Sequence, residues 1–204
     1  RTVPKCKHFG ECGGCQWQHM NYNEQLRFKQ QQVTETLTRL AKVPLPEILP
    51  IVGSDNEYFY RNKLEFTFSN KRWITKKEAE DGHPINEPNA LGFHIPGRFD
   101  KILNIDECFL QADFSNQIRN FIREYALKNK LSFYDVRNHT GFLRNLIIRN
   151  TTQNEWMLVL VVAQANEKEI TRLMNEIHIH FAEINSLLYI VNTKRNDTIY
   201  DQEV

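Results

Sequence analysis

Apolar residues recur along this chain with two different periods, that of helices and that of strands. Helical spacing predicts helices over residues 21–41, 115–130 and 170–177. Two-residue alternation, or a short apolar run, predicts strands over residues 64–68, 91–95, 143–149, 156–163 and 186–191. The run at 156–163 is almost wholly apolar, so we expect it to be buried on both faces of a sheet. The order of these elements predicts an α+β fold with a mainly antiparallel sheet and helices packed on one face.

The pattern also divides the chain into three parts. Residues 1–20 are rich in Cys and Gly and lack periodicity, which predicts a compact knuckle whose tight turns let neighbouring thiolates converge. Residues 21–50 contain the first helix, started by a capping box of Asn21 and Glu24, and a proline-containing linker. Residues 51–204 form the α+β domain, with a long loop at 70–90. Because the chain begins at Arg1 and stops in a strand-like stretch at 199–204, we expect a piece of a longer protein.

Composition narrows the possible classes of protein. The apolar fraction of 41% and the charged fraction of 25% are ordinary for a globular domain. The formal net charge is +1, so any contact with nucleic acid must come from a local patch. No apolar run reaches the length of a membrane span, and no signal-peptide pattern is present. We therefore expect a cytoplasmic protein without a membrane partner, and we expect a monomer.

The four cysteines are the candidate metal ligands. Cys6, Cys12 and Cys15 are clustered, and Cys108 follows after a gap of 92 residues. In a reducing compartment, clustered cysteines bind metals more often than they form disulfides. Four thiolates suit zinc, although zinc ribbons use two C-x2-C pairs, whereas three close cysteines with a distant fourth are nearer to a ferredoxin layout. The spacing alone leaves an iron–sulfur cluster, a zinc ion and disulfides open.

Residues around and beyond the cysteines form a second, more specific pattern. The segments are the Cys6–His19 stretch CKHFGECGGCQWQH, Tyr22-x-x-Gln25-Leu26-x-x-Lys29, Tyr58-x-Tyr60-Arg61-Asn62-Lys63, Leu91-Gly92-Phe93, and Gly141-x-Leu143-Arg144-x-Leu146-x-x-Arg149. In this order they resemble the RNA 5-methyluridine (uracil-5-) methyltransferases over nearly the whole chain. The resemblance implies a [4Fe-4S] cluster on the four cysteines and S-adenosylmethionine as the methyl donor.

The resemblance also implies a division of labour. Members of this family have a cluster-bearing central domain and a C-terminal methyltransferase domain, where a cysteine thiolate attacks C6 of uracil so that C5 accepts the methyl group. This chain has no fifth cysteine and no glycine-rich cofactor turn. We therefore predict the iron–sulfur, RNA-binding central domain of a methyltransferase acting on ribosomal or transfer RNA. It would lack the catalytic domain, to which S-adenosylmethionine binds, and would be inactive alone.

Two further expectations concern partners. Residues 21–50 would pack on the absent methyltransferase domain, and ribosomal RNA is the favoured substrate, with transfer RNA as the other choice. The alternative functions are an iron–sulfur redox module and a zinc-stabilised module that binds nucleic acid. Reversible cycling of the cluster would favour the first, and zinc without sulfide would favour the second.

Basic residues in the family-like segments are the candidate RNA contacts. They are Arg61, Lys63, Arg98, His139, Arg144 and Arg149. Phosphate contacts by such residues would give an affinity that falls with salt. Tyr58, Tyr60, Phe93 and Phe99 could stack on unpaired bases, although Phe93 also fits a core position. For each arginine, a structural salt bridge is the alternative.

Overall fold

The computed structural model describes residues 1–42, 44–82 and 87–199. Its helices are α1 (Tyr22–Thr36), α2 (Lys76–Glu80), α3 (Asp113–Lys128) and α4 (Glu167–His180). Its strands are β1 (Lys63–Ser69), β2 (Ala90–His94), β3 (Ile102–Asn104), β4 (Leu143–Asn150), β5 (Trp156–Val162) and β6 (Ile184–Val191). A π-helical turn, Leu37–Ala41, continues α1. Within these ranges, no helix is long and apolar enough to cross a membrane.

The strands form one mixed sheet in the order β3-β2-β1-β4-β5-β6. Neighbouring strands are antiparallel except β5 and β6, which are parallel and joined through α4. The predicted α+β class and the mainly antiparallel sheet are confirmed. The strand β3 was not predicted, because three residues are too few to show an alternation.

The main core lies between one face of the sheet and the helices α3 and α4. Phe66 of β1, Ile122 of α3 and Leu173 of α4 are fully buried there. The strand β5 is buried on both faces, as predicted, because Val161 belongs to a smaller apolar cluster on the opposite face with Ile190. The face away from the helices is therefore apolar near β5 and β6 and polar toward β1.

The helix α1 begins where the sequence predicts but without the predicted capping box. The side chain of Asn21 accepts a hydrogen bond from the N–H of Asn23 at 3.0 Å. Glu24 pairs with Arg27 at 2.8 Å instead of reaching back to Asn21, so Asn21 caps the helix without a capping box. The helix contains no buried residue, and Leu40 in the π-helical turn is 74% exposed.

The loop predicted at 70–90 contains the short helix α2. A complete capping box of Thr75 and Glu78 starts it. Glu78 also forms a salt bridge with Arg72 at 2.6 Å, which connects the helix to the end of β1. An unbroken loop was therefore the wrong prediction for 76–80. Residues 83–86 of that loop and 200–204 of the strand-like end lie outside the described residues.

A buried arginine of α3 holds the loop that follows β3. Arg119 is fully buried, and its Nε and Nη2 donate to the carbonyls of Ile105 at 2.9 Å and Asp106 at 2.7 Å. Its Nη1 donates to the side chain of Asn116 at 3.0 Å. Burial lowers the pKa of Arg119 to about 10, which leaves the guanidinium charged at neutral pH. The loop containing Cys108 is thus fixed to α3 by a planar fork of donors.

Replacing Arg119 with lysine should destabilise the fold. A single ammonium cannot reproduce the fork, so buried carbonyls lose their donors and the free energy of unfolding should fall by about 2–4 kcal/mol. Urea denaturation followed by circular dichroism measures this. Arg123→Lys, one turn further along α3, is the matched control, because the Nε of Arg123 has no hydrogen-bond partner. Equal destabilisation by both variants would contradict the role given to Arg119.

Candidate metal centre and nucleic-acid interface

The N-terminal segment is a series of turns that dock on the sheet. The N–H of Cys12 donates to the carbonyl of His8 at 2.9 Å, and the N–H of Gly13 donates to the carbonyl of His94, at the end of β2, at 3.1 Å. A Cβ on Gly13 would lie 2.6 Å from that His94 oxygen. Only glycine allows this approach, so the position of the turns depends on Gly13.

The fourth cysteine reaches the same place from the loop between β3 and α3. The N–H of Cys108 donates to the side chain of Asn116 at 2.8 Å, and that side chain donates back to the carbonyl of Cys108 at 3.2 Å. Lys7 forms a salt bridge with Asp106 at 2.9 Å. Because Lys7 lies beside Cys6 and Asp106 lies two residues before Cys108, this pair joins the two cysteine-bearing segments.

The four predicted ligands line one cavity of about 20 Å³. A cavity of this size admits slightly more than one water molecule. All four cysteines are free thiols. Burial is the main cause that raises the pKa of Cys6 and Cys108 and raises the pKa of Cys12 to about 11, with repulsion from neighbouring thiolates adding to it. The thiols are therefore close together and are not activated nucleophiles.

This donor set, with Cys108 buried and the other three cysteines partly buried, suits a metal group that supplies positive charge to four sulfurs. In the described ranges, however, no group of three or more His, Cys, Asp or Glu side chains is placed to hold a single metal ion. The four cysteines line one cavity, and the prediction that they bind a metal group stays a prediction.

Two of the predicted RNA contacts form a pair on the face of the sheet away from the helices. Lys63 of β1 and Arg149 of β4 are directly opposite each other in the antiparallel register. Both side chains are exposed, and neither forms a salt bridge within the part of the chain that the structure describes. Like charges directly opposite each other destabilise a sheet. The pair therefore favours an anion at this position.

Three other predicted contacts lie on exposed backbone outside the strands. Arg61 precedes β1, Arg98 is in the turn after β2, and His139 is in the turn before β4. A salt bridge of 2.7 Å between Arg137 and Asp100 joins the turns that contain Arg98 and His139. The structure thus places Arg98 and His139 on connected turns and Arg61 beside Lys63 in the sequence.

Arg144 has a different environment from the other predicted contacts. It is 2% exposed, and its guanidinium donates to the carbonyls of Asn192 at 3.0 Å, Lys194 at 2.6 Å and Asn196 at 2.6 Å. It also pairs with Asp197 at 3.0 Å. The charge of Arg144 is therefore used to hold the segment after β6, which is the structural alternative raised for each arginine.

The structure also adds residues that sequence reasoning missed. Asn116 and Arg119 position Cys108, and the sequence feature that could have indicated them is a set of polar residues on the otherwise apolar stripe of α3.

The aromatic candidates lie in different environments. Phe93 packs against the core, whereas Phe99 is 64% exposed, with the guanidinium of Arg137 5.2 Å from its ring centroid. The rings of Tyr58 and Phe109 meet at 6.2 Å beside Lys5, a cluster that no periodicity indicated.

Sequence comparison connects the chain to proteins named RNA methyltransferases. It is 51% identical over its whole length to an uncharacterized RNA methyltransferase of Bacteroides thetaiotaomicron and covers 46% of that protein. It is 49% identical over its whole length to one of Porphyromonas gingivalis and covers 45% of it. The chain therefore spans about half the length of these curated relatives. No protein-family model matches it.

Structural comparison points the same way. The tRNA (uracil-54, C5)-methyltransferase of Pyrococcus abyssi, solved in complex with S-adenosyl-L-homocysteine, matches with a TM-score of 0.64 and 26% sequence identity. The match covers 95% of this chain and 40% of that chain. The resemblance to uracil-5-methyltransferases is supported at the level of RNA methyltransferases.

These findings correct the function predicted from the sequence. We predicted an iron–sulfur central domain without a catalytic domain, with redox and zinc modules as alternatives. Instead, the whole chain matches proteins named RNA methyltransferases. The similar solved structure was obtained with S-adenosyl-L-homocysteine bound. Nothing in them separates an iron–sulfur domain from the methyltransferase, so that functional assignment was wrong. Along its whole length, this chain is similar to proteins named RNA methyltransferases.

Proposed function

We propose that this chain is part of an RNA methyltransferase that transfers a methyl group from S-adenosylmethionine to C5 of a uracil base. The observation that carries the proposal is the similarity of the whole chain to proteins named RNA methyltransferases, at 51% and 49% identity. The match to a uracil-C5-methyltransferase solved with S-adenosyl-L-homocysteine supports the methyl donor and the reacting atom.

The described residues do not identify where the methyl donor would bind. Sites for nucleotide-like cofactors commonly follow a strand through a glycine-rich turn to the start of a helix. The one parallel crossover in the described residues, β5–α4–β6, has the turn 163–166 without glycine. We assign no residue of this chain to the methyl donor and derive no step through it.

An assay on the longer protein and on this chain tests the proposed activity. Tritium released from RNA labelled at C5 of uridine reports methylation at that atom, and unmodified ribosomal and transfer RNA are compared as substrates. Methylation of cytidine or adenosine alone would overturn the proposal.

Four expectations from the sequence stay predictions. They are the inactivity of this chain alone, a monomeric state, a cytoplasmic location and ribosomal RNA as the preferred substrate.

We further propose that Cys6, Cys12, Cys15 and Cys108 are the ligands of one metal centre. All four thiols line the same cavity, and ligation would offset the burial and the repulsion between thiolates that raise the pKa values of Cys6, Cys12 and Cys108. The group that the resemblance implies for these four thiols is a [4Fe-4S] cluster. Such a centre would organise the N-terminal turns against the loop before α3.

Removal of one ligand tests the metal centre. Protein purified without oxygen should contain iron and acid-labile sulfide, and Cys108→Ser should lose most of both because the cavity keeps only three thiols. Glu107→Gln is the matched control, since it changes the adjacent residue but no thiol. Elemental analysis and the visible absorption spectrum measure the content. Full metal retention in Cys108→Ser would contradict the four-ligand proposal, and zinc without sulfide would contradict the cluster.

The RNA contacts are proposed on the exposed face of the sheet. Lys63 and Arg149 are opposed, exposed and without an acidic partner in the described residues, so a phosphate between them would offset their repulsion. Arg61, Arg98 and His139 extend the basic surface along the neighbouring turns. Arg144 would act through the segment 192–197 that it holds, because its own guanidinium is buried.

The double variant Lys63→Ala/Arg149→Ala should weaken RNA binding and reduce its dependence on salt. Each lost phosphate contact lowers the slope of log affinity against log salt by about 0.7 for a single strand, so a fall of about 1.4 is expected. Filter binding between low and high salt measures the slope. Lys168→Ala/Arg172→Ala on α4 is the matched control, with the same change in charge on exposed residues of a helix that packs on the opposite face. An unchanged slope in the first variant would overturn the interface.

The role of residues 21–50 stays a prediction. They would pack on a part of the longer protein outside these residues, which agrees with the absence of buried residues from α1. Val33 is 51% exposed and Leu40 is 74% exposed, so these two positions of the apolar stripe are not covered by the described residues.

A further inference from the structure

A larger cavity, of about 550 Å³, lies beside the four-cysteine cavity. Its walls come from the N-terminal turns, the start of α1 and the segment 54–60. The two cavities share Gly14, Cys15, Gln18 and Leu110 as lining residues. Its volume is in the range of sites that bind small ligands or cofactor-sized groups. No part of the activity proposed above explains it.

Aromatic rings and two residues of opposite charge, Lys29 and Glu57, line this cavity. Trp17, Tyr58 and Tyr60 line it, and Tyr60 is 55% exposed. Lys29 of α1 also lines it, with its Nζ 5.8 Å from the ring centroid of Trp17. Lys29 forms no salt bridge with the acidic residues that the structure describes. Its charge is thus available to an anionic ligand.

The segment that presents the tyrosines is held in an uncommon conformation. Phe59 has a φ of 58°, which is the left-handed region that bulky residues rarely adopt. The N–H of Phe59 donates to the carbonyl of Phe109 at 2.7 Å, and the N–H of Arg61 donates to the carbonyl of Leu110 at 2.8 Å. As a result Tyr58 and Tyr60 line the cavity while Phe59 does not. Backbone strain held in this way is common at binding sites.

Further contacts fix the walls before any ligand binds. The Nζ of Lys5 lies 4.8 Å from the ring centroid of Tyr58 and 4.4 Å from that of Phe109. The hydroxyl of Tyr22 accepts a hydrogen bond from the N–H of Ser54 at 2.7 Å, which ties the segment to α1. Preformed walls reduce the entropy that is lost when a ligand binds.

The chemistry of the walls selects the class of ligand. Flat aromatic side chains with a nearby lysine suit a ligand that has a planar ring and a negatively charged group attached to it. The side-chain amides of Gln16 and Asn56, also in the lining, form no hydrogen bond within the described part of the chain and could pair with the polar edge of that ring. Protein sites that bind unpaired bases combine the same elements: aromatic faces, amides at the base edge and a cation for the phosphate.

We propose that this cavity binds one unpaired nucleotide of the RNA substrate, with the base stacked on Tyr60 or Trp17 and the phosphate near Lys29. The proposal rests on the RNA-binding function proposed above and names a second contact, separate from the basic pair of Lys63 and Arg149. Because Gly14, Cys15, Gln18 and Leu110 belong to both cavities, the group held by the cysteines also shapes this nucleotide site.

Binding of a labelled single-stranded RNA octamer to the 204-residue chain tests the proposal. Tyr60→Ala should lower the affinity by roughly 5- to 100-fold, the effect of losing one stacked base. Tyr60→Phe keeps the ring and should bind like the parent. Phe28→Ala is the matched control, since Phe28 is an aromatic residue that is 41% exposed and does not line this cavity. Replacing the octamer with an abasic one should reduce the difference between the parent and Tyr60→Ala.

The outcomes separate this inference from the function on which it rests. If Tyr60→Ala binds like the parent while Lys63→Ala/Arg149→Ala loses affinity, the nucleotide site is overturned and the RNA-binding face stands. If the parent binds no RNA at any salt concentration, both are overturned. If Tyr60→Ala leaves RNA affinity unchanged but lowers the stability of the longer protein, the cavity is filled by another segment of that protein and the inference is overturned.

Discussion

The packing of α3 and α4 against one face of the sheet is the constraint on which both candidate sites depend. It buries alternate residues of β1 and β4, and the two-residue period of a strand then sends Lys63 and Arg149 to the opposite face. The same contact brings the start of α3 next to the loop after β3, where Asn116 and Arg119 fix Cys108. One packing interface therefore sets the position of a basic surface and of a buried thiol.

The four thiols show how an arrangement that is unfavourable without a ligand can indicate a binding function. Burial raises the pKa of Cys6, Cys12 and Cys108, and neighbouring thiolates raise it further, so these sulfurs are hard to ionise without a bound cation. The positive charge of Arg119 acts in the other direction on Cys108, although burial remains the larger effect. Four such groups around one space are stabilised when a cationic group binds them. A structural core would have placed apolar side chains here instead.

Periodicity predicted the long elements well because their burial is regular. The sheet class, the doubly buried β5 and the start of α1 at Asn21 followed from it. Contacts between segments distant in the sequence did not follow, because no local pattern encodes them. Arg144 looked like a surface residue of a basic motif, yet carbonyl groups from residues 192–196 enclose it. The aromatic cavity was missed for the same reason, since Trp17, Tyr60 and Lys29 meet only through the turns. The prediction of a separate iron–sulfur domain was wrong for a different reason, because it was inferred from the order of the motifs along the chain.

The absence of buried residues from α1 has a consequence for how the molecule opens. Cooperative unfolding units follow buried contacts, and exposed helices belong to the least stable ones. The turns before α1 are joined to β2 through Gly13 and to the loop before α3 through Lys7. They should therefore open together with the sheet, whereas the helix that directly follows them can fray without either. Sequence neighbours at this end of the chain thus belong to different cooperative units, and the last turns of α1 are free to change partner while the cysteine-bearing turns stay in place.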